Sequence, residues 1–256
     1  MLEHIDLTRS VARKKYDKQL PELQDRLHLL QRACHDARLS TVIVFEGWDT
    51  AGKGTVIRKL GERLEPRAAE IVATREARTR EKQLPWLGRF WAMLPEYGSM
   101  AIFDRSWYGR VLGDRIDGRV DEGQWRQAWR DIASFERALA EDRYLVSKFF
   151  LHISREEQAR RLQTLEADPA AAWQVEPADW RRHEQYDQYL VAIEEMLQQT
   201  ETEWAPWTIV EATDRNWVRL KVFRTVIERM ERELLRRGEA VPEMSGNSSK
   251  WNRGES

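Results

Sequence analysis

A lysine set just behind a glycine-bounded turn is a device for holding phosphate. Residues 42–55 of this chain, Val-Ile-Val-Phe-Glu-Gly-Trp-Asp-Thr-Ala-Gly-Lys-Gly-Thr, contain one. Gly47 and Gly52 bracket four residues, Lys53 follows, and Thr55 comes two places later. The glycines let backbone N–H groups turn inward. The start of a helix adds partial positive charge there, and the lysine adds a full one. Loops of this type usually carry Ser or Thr directly after the lysine, but here Gly54 occupies that place. The predicted phosphate-binding set is therefore Gly47, Gly52, Lys53, Gly54 and Thr55. An acid inside such a loop repels phosphate, so Asp49 needs a reason of its own. It can hold Mg²⁺ or orient and deprotonate an attacking oxygen; the alternative is a turn-forming Asp bonded to its own backbone.

Further candidates stand after the other apolar runs. Asp104 ends the strand-like run Met-Ala-Ile-Phe-Asp and is followed by Arg105 and Ser106. Ligands of open α/β sheets gather beyond the carboxyl ends of strands, so Asp104 fits a second Mg²⁺ anchor, or else an N-cap. Arg105 can reach a phosphate bidentately or pair with a neighbouring acid. Arg75 opens a run of alternating charge, Arg-Glu-Ala-Arg-Thr-Arg-Glu-Lys, which alone reads as solvated surface. Behind the second strand of a phosphate-loop kinase it would instead face the phosphate acceptor, with Trp86 close by. Arg160 and Arg161 lie on a helix opened by a Ser154–Glu157 capping box. They suit a lid over phosphates or, equally, an exposed basic helix. His152 falls within a strand and reads as structural, and no histidine or cysteine spacing suits a metal.

The elements needed to place these residues can be read from periodicity. Apolar stripes predict helices at 16–37, 55–64, 83–94, 125–139, 156–166, 180–200 and 216–237, and strands at 41–45, 70–74, 100–104, 144–153 and 207–211. Strands alternating with helices predict an α/β fold, a five-stranded parallel sheet with helices on both faces. The predicted organisation is an N-terminal arm (1–15), one kinase-type domain (16–237) with a helical lid around 154–180, and a disordered tail (238–256).

Composition narrows the class. The 256 residues carry 42 Lys and Arg against 43 Asp and Glu, a net charge of −1. That balance argues against non-specific nucleic-acid binding, so any anionic ligand must meet local clusters of cations. The one cysteine, Cys34, excludes an internal disulfide and reads as a core thiol. No apolar run has signal-peptide or membrane-spanning form, which predicts a cytoplasmic protein with no membrane partner.

Glu46-Gly47-Trp48-Asp49-Thr50-Ala51-Gly52-Lys53-Gly54 resembles the phosphate loop of family-2 polyphosphate kinases, which write Gly-Lys-Gly and place an Asp at this spot. Phe103-Asp104-Arg105-Ser106-Trp107-Tyr108 resembles the second motif of that family. Arg89-Phe90-Trp91, Leu94-Pro95, Glu156-Glu157-Gln158 with Arg160-Arg161, and Ala205-Pro206-Trp207 are similar to it as well. The resemblance covers about residues 16–230. One departure is Gln174, where many members carry Lys or Arg.

The resemblance implies a thymidylate-kinase-like fold and Mg²⁺-dependent phosphoryl transfer between inorganic polyphosphate and a nucleoside mono- or diphosphate. Asp49 and Asp104 would serve the metal and the acceptor oxygen, Lys53 and Arg105 would bind phosphates, and Arg160 and Arg161 would guide the polymer. Leu84-Pro85-Trp86-Leu87 leans toward members that take AMP. A homo-oligomer, dimer or tetramer, is implied too. Two other readings are an ATP-dependent nucleoside monophosphate kinase, which needs no long basic groove, and a non-catalytic nucleotide- or polyphosphate-binding module.

Overall fold

A strand buried on both faces reads as a near-continuous apolar run, and any polar residue in it needs a partner. That pattern places Ser40–Gly47 (β1) at the centre of the sheet, with every residue from Ser40 to Glu46 buried. The computed structural model describes residues 1–244. The elements run α1 (Arg13–Asp36), β1, α2 (Lys53–Gly61), β2 (Ala69–Ala73), α3 (Gly88–Trp91), β3 (Met100–Asp104), α4 (Gly113–Ile116), α5 (Glu122–Glu141), β4 (Tyr144–His152), α6 (Arg155–Ala167), α7 (Pro177–Glu184), α8 (Tyr186–Gln199), β5 (Trp207–Glu211) and α9 (Arg215–Arg236). Five strands form one sheet in the order β2-β3-β1-β4-β5, and every pairing is parallel.

Alternate residues of a strand point to opposite faces, and β4 identifies what covers each. Lys148 meets Glu136 of α5, while the ring of its neighbour Phe149 lies under Arg229 of α9. Helices therefore cover both faces, as the alternation of strands and helices predicts. α1 packs on α9, tied by Arg26–Glu231 and by Arg224 donating to Gln19. Cys34 is buried in this layer, and burial pushes its thiol up to about 12.

Two predicted helices differ. The 83–94 segment forms only a 3₁₀ turn at Glu81–Gln83 and the single turn of α3. Pro85 forces Leu84 into extended backbone (φ −112°, ψ 162°), so helix cannot run through. The long helix predicted at 180–200 begins earlier, at Pro177, and is divided at Gln185 (φ −87°, ψ 15°) into α7 and α8. Different partners hold the two sides of that break. Arg182 of α7 is drawn onto Asp49, and Tyr186 of α8 stacks on Trp48.

The chain ends show contacts of their own. Leu2 is buried and its N–H donates to Glu194. Past α9, Val241 packs against the core and the Pro242 carbonyl accepts from Arg26. The rest of the segment predicted to be disordered, 245–256, lies outside the described residues. Among the described residues no helix is long and apolar enough to cross a membrane.

Candidate active site

The loop after β1 takes its shape from a close approach. Gly47 has φ +139°, and a Cβ there would lie 2.4 Å from the Leu151 carbonyl oxygen of β4. Gly52 (φ +99°) then opens α2 from a left-handed cap, and Thr50 is also left-handed at φ +62°. Thr55 turns its hydroxyl back onto the Gly52 carbonyl, 2.8 Å away. Trp48 anchors the loop from behind. Its indole N–H donates to His152 Nδ1 at 2.9 Å, and its ring stacks on Tyr186 with centroids 3.9 Å apart. His152 is thus structural, and burial drops its pKa to about 4.

Lys53 is buried at the first position of α2, with Nζ donating to the carbonyls of Gly47 (2.7 Å) and Trp48 (3.0 Å). Burial and then Arg105 lower its proton affinity, and Asp49, Asp104 and Glu46 partly restore it. Asp49 faces the cleft with both oxygens engaged. Oδ1 accepts from Arg105 Nη2 at 2.6 Å and Oδ2 from Arg182 Nε at 2.5 Å. Burial pushes the Asp49 carboxyl up. Arg105, Lys53 and Arg182 together outweigh that and hold it below the usual carboxylate range. Glu46, buried behind the loop, accepts from Ser106 Oγ at 2.8 Å, and burial raises its pKa.

Of the predicted site residues, Gly47, Asp49, Arg75, Trp86 and Arg105 line one cleft of about 690 Å³, while Gly52, Lys53, Gly54 and Thr55 lie outside its lining. Trp86 is fixed there by its N–H on Asp131, 3.1 Å away, with Arg110 over its ring at 5.7 Å. Asp104 borders a separate shallow groove with Gly54, Ile57 and Ile71, and both aspartates influence the Lys53 ammonium. Arg160 and Arg161 do not line the cleft. Arg160 is exposed and paired with Glu157. Arg161 is spent on Glu157 and on the carbonyls of Thr50, Ala212 and Thr213, all within 2.9 Å. It fastens the phosphate loop to the turn after β5.

Residues to which sequence reasoning gives no role complete the cleft. It does not single out Arg182 of α7 or Tyr189 of α8 at all, and it names Gln158 of α6 only as part of a motif. Arg182 lies in the basic triplet Arg181-Arg182-His183, but no spacing rule shows that α7 folds back over the loop. Among the described residues no three His, Cys, Asp or Glu side chains are grouped to cage a metal. Mg²⁺ does not need such a cage, since one or two carboxylates suffice when substrate phosphates and water complete its shell. Asp49 and Asp104, flanking the lysine that would meet those phosphates, fit that donor set.

Residues 10–238 match the sequence model of polyphosphate kinase 2. The chain belongs to the polyphosphate kinase 2 family. It is 38% identical over 236 residues to a polyphosphate:AMP phosphotransferase of Pseudomonas syringae pv. tomato, covering 92% of this chain and 47% of that protein. It is 35% identical to a GDP-polyphosphate phosphotransferase of Mycolicibacterium smegmatis, over 84% of this chain and 76% of the relative. A crystal structure of a Pseudomonas aeruginosa PA01 protein described as a polyphosphate kinase 2 superposes with a TM-score of 0.88 at 39% identity, over 90% of this chain and 50% of that one. The chain thus spans about half the length of the polyphosphate:AMP relative, whereas other family members match it over most of their length.

Proposed function

We propose that this chain transfers the terminal phosphoryl group between inorganic polyphosphate and a nucleoside mono- or diphosphate, with AMP and ADP as the acceptors of first choice. One observation carries the reading: Arg105 and Arg182 converge on Asp49, whose charge acts on Lys53, and Arg75 and Trp86 line the same cleft. Relatives named as polyphosphate:AMP, ADP-polyphosphate and GDP-polyphosphate phosphotransferases support the donor.

In the synthetic direction a terminal phosphate oxygen of the acceptor attacks the end phosphorus of the polymer. A new P–O bond forms, the bond to the next bridging oxygen breaks, and the shortened polymer leaves with that electron pair. Lys53 and Arg105 offset charge on the phosphates in transfer. Asp49, kept ionised by its arginine partners, orients the attacking oxygen. Arg182 closes the lid side and excludes water. Trp86 and Arg75 receive the acceptor, and Arg160, on the lid's outer face, contacts phosphates farther along the polymer. Gly47, Gly52, Gly54 and Thr55 shape the loop so that backbone N–H groups face the anion. Asp49 and Asp104 would hold Mg²⁺, which would supply charge neutralisation for the phosphates.

The proposal extends to a cytoplasmic location, as the sequence reading expects, and, on the family resemblance, to a homo-oligomer, dimer or tetramer; light scattering of the purified protein decides the assembly. The decisive test of function is a matrix of polyphosphate and ATP as donors against AMP, ADP, GMP and GDP as acceptors. Product formation from polyphosphate without ATP is expected. Transfer from ATP alone would assign the chain to the ATP-dependent monophosphate kinases instead, and binding without transfer would make it a non-catalytic module.

A further inference from the structure

We propose that the buried pair Glu136–Lys148 is a positioning device that holds Arg105 on Asp49. The proposal rests on the phosphoryl-transfer reading of the cleft.

Lys148 of β4 and Glu136 of α5 are both fully inaccessible to solvent, 0% on each side. Lys148 Nζ spends all three protons, on Glu136 Oε2 (2.8 Å), the Tyr108 hydroxyl oxygen (2.9 Å) and the Thr200 carbonyl (2.8 Å). The other Glu136 oxygen accepts from the Tyr108 hydroxyl (2.7 Å) and the Trp107 indole N–H (3.0 Å). The network is closed, and neither member of the pair lines the cleft.

Such a pair is a poor source of stability, because well-packed apolar residues of similar volume often serve as well. What it supplies is direction: Trp107 and Tyr108 must both point at one carboxylate. Those two residues follow Arg105 and Ser106 directly. Arg105 needs the restraint, since its φ of +62° lies in the left-handed region that non-glycine residues seldom occupy. A conformation of that kind persists only where its surroundings over-determine it.

Three fasteners surround this backbone. The Arg105 N–H donates to the Phe45 carbonyl at 3.0 Å, Ser106 Oγ donates to Glu46, and the Trp107–Tyr108 turn is tied to Glu136. The first two come from β1 and its end. The third ties the turn to α5, where the Trp107 ring also packs edge-on against Phe135 at 4.9 Å, and Lys148, in register with Val44 of β1, links the carboxylate to the same central pair of strands.

The test is the double substitution E136L/K148M, which puts apolar side chains of similar volume in place of the pair and removes the acceptor shared by Trp107 and Tyr108. We expect a modestly lower thermal midpoint, with the protein still folded at the assay temperature. We also expect kcat to fall by about 10- to 100-fold, the scale of a displaced catalytic group, while KM for nucleotide and for polyphosphate stays within about twofold. A kcat equal to that of the unmodified protein, with any loss confined to the thermal midpoint, would overturn the proposal. Should the double variant not fold, Y108F removes the shared hydroxyl and keeps the ring; the same kcat-against-KM split, smaller in size, is expected, and an unchanged kcat overturns it.

The unmodified protein assayed in parallel separates the two levels, because absence of transfer there sinks the assignment of the reaction, not the positioning. A crystal structure of whichever of the two variants folds then decides the positioning on its own. Arg105 with a negative φ and its guanidinium off Asp49 supports the role, and an unchanged Arg105 rejects it.

Discussion

Lys53 carries its ammonium in a buried place where desolvation works against the charge, and the carbonyls of Gly47 and Trp48 hold it there. An arriving phosphate replaces those two dipoles with a full negative charge, so the lysine gains most when the substrate's charge is greatest. Lys53→Met is expected to lower kcat by roughly 10²–10³-fold without lowering the thermal midpoint; steady-state kinetics beside a melting curve checks both. His152 behaves in the opposite way, being buried without charge behind Trp48. Its pKa drops from 6.5 to about 4 through burial, with Glu194 opposing weakly. Between those values the unfolded chain binds a proton that the folded one refuses. The stability tied to this residue is therefore complete above pH 6.5 and is lost as pH falls toward about 4, by an amount on the order of 3 kcal/mol. Urea unfolding at pH 7 and pH 4.5 should show a smaller acid loss in His152→Gln than in the unmodified protein; equal losses would contradict the assignment.

The phosphate loop is held as an element between β4 and α8. β4 fixes its entry, since the carbonyl of Leu151 accepts from the Trp48 N–H at 3.3 Å just where Gly47 passes. Gly47→Ala would press a Cβ against backbone that cannot yield, at a φ unfavourable to any L side chain. We expect a loss of more than about 2 kcal/mol together with near-complete loss of transfer, read by denaturant unfolding and by activity at matched folded fraction. α7 and α8 divide the work on the other side: α7 supplies Arg182, and Tyr186 at the start of α8 supplies the ring that stacks on Trp48. A periodic apolar stripe shows that helix exists there, but the break at Gln185 is set by where those two partners lie. Pro85 and Gly88 are the signals that should have shortened the helix read into 83–94, because a proline denies a helix both its N–H and the backbone of the preceding residue.

At the scale of the whole molecule, the near balance of charge carries into the cleft. Arg75, Arg89, Arg105, Arg110, Arg119 and Arg182 line it beside Glu46, Asp49, Glu76, Glu81, Asp114 and Asp117, and Arg89, Arg105, Arg119 and Arg182 are ion-paired with acids of that lining. A polyanion is therefore met by individual arginines that exchange an acid for a phosphate, not by a uniform positive field. KM for polyphosphate is expected to rise steeply as ionic strength passes about 0.1 M, where screening acts within ~10 Å, with little change in the thermal midpoint. A flat KM across that range would place polymer recognition elsewhere. Much of this protein was legible in residue order alone. Alternating apolar runs fixed five strands, parallel pairing and the position of the phosphate loop, because burial on two faces and the turn chemistry of glycine are local demands. Asp49, Lys53 and Arg105 could be singled out for the same reason: they stand in the loop after β1, at the start of α2 and just past β3, all at the carboxyl ends of strands. Tertiary structure alone decided that Arg161 fastens loops while Arg182 faces the cleft. It also decided that Asp104 looks into a different groove from Asp49. Which of several arginines meets a given acid depends on how helices far apart in sequence pack, and no local pattern encodes that distance.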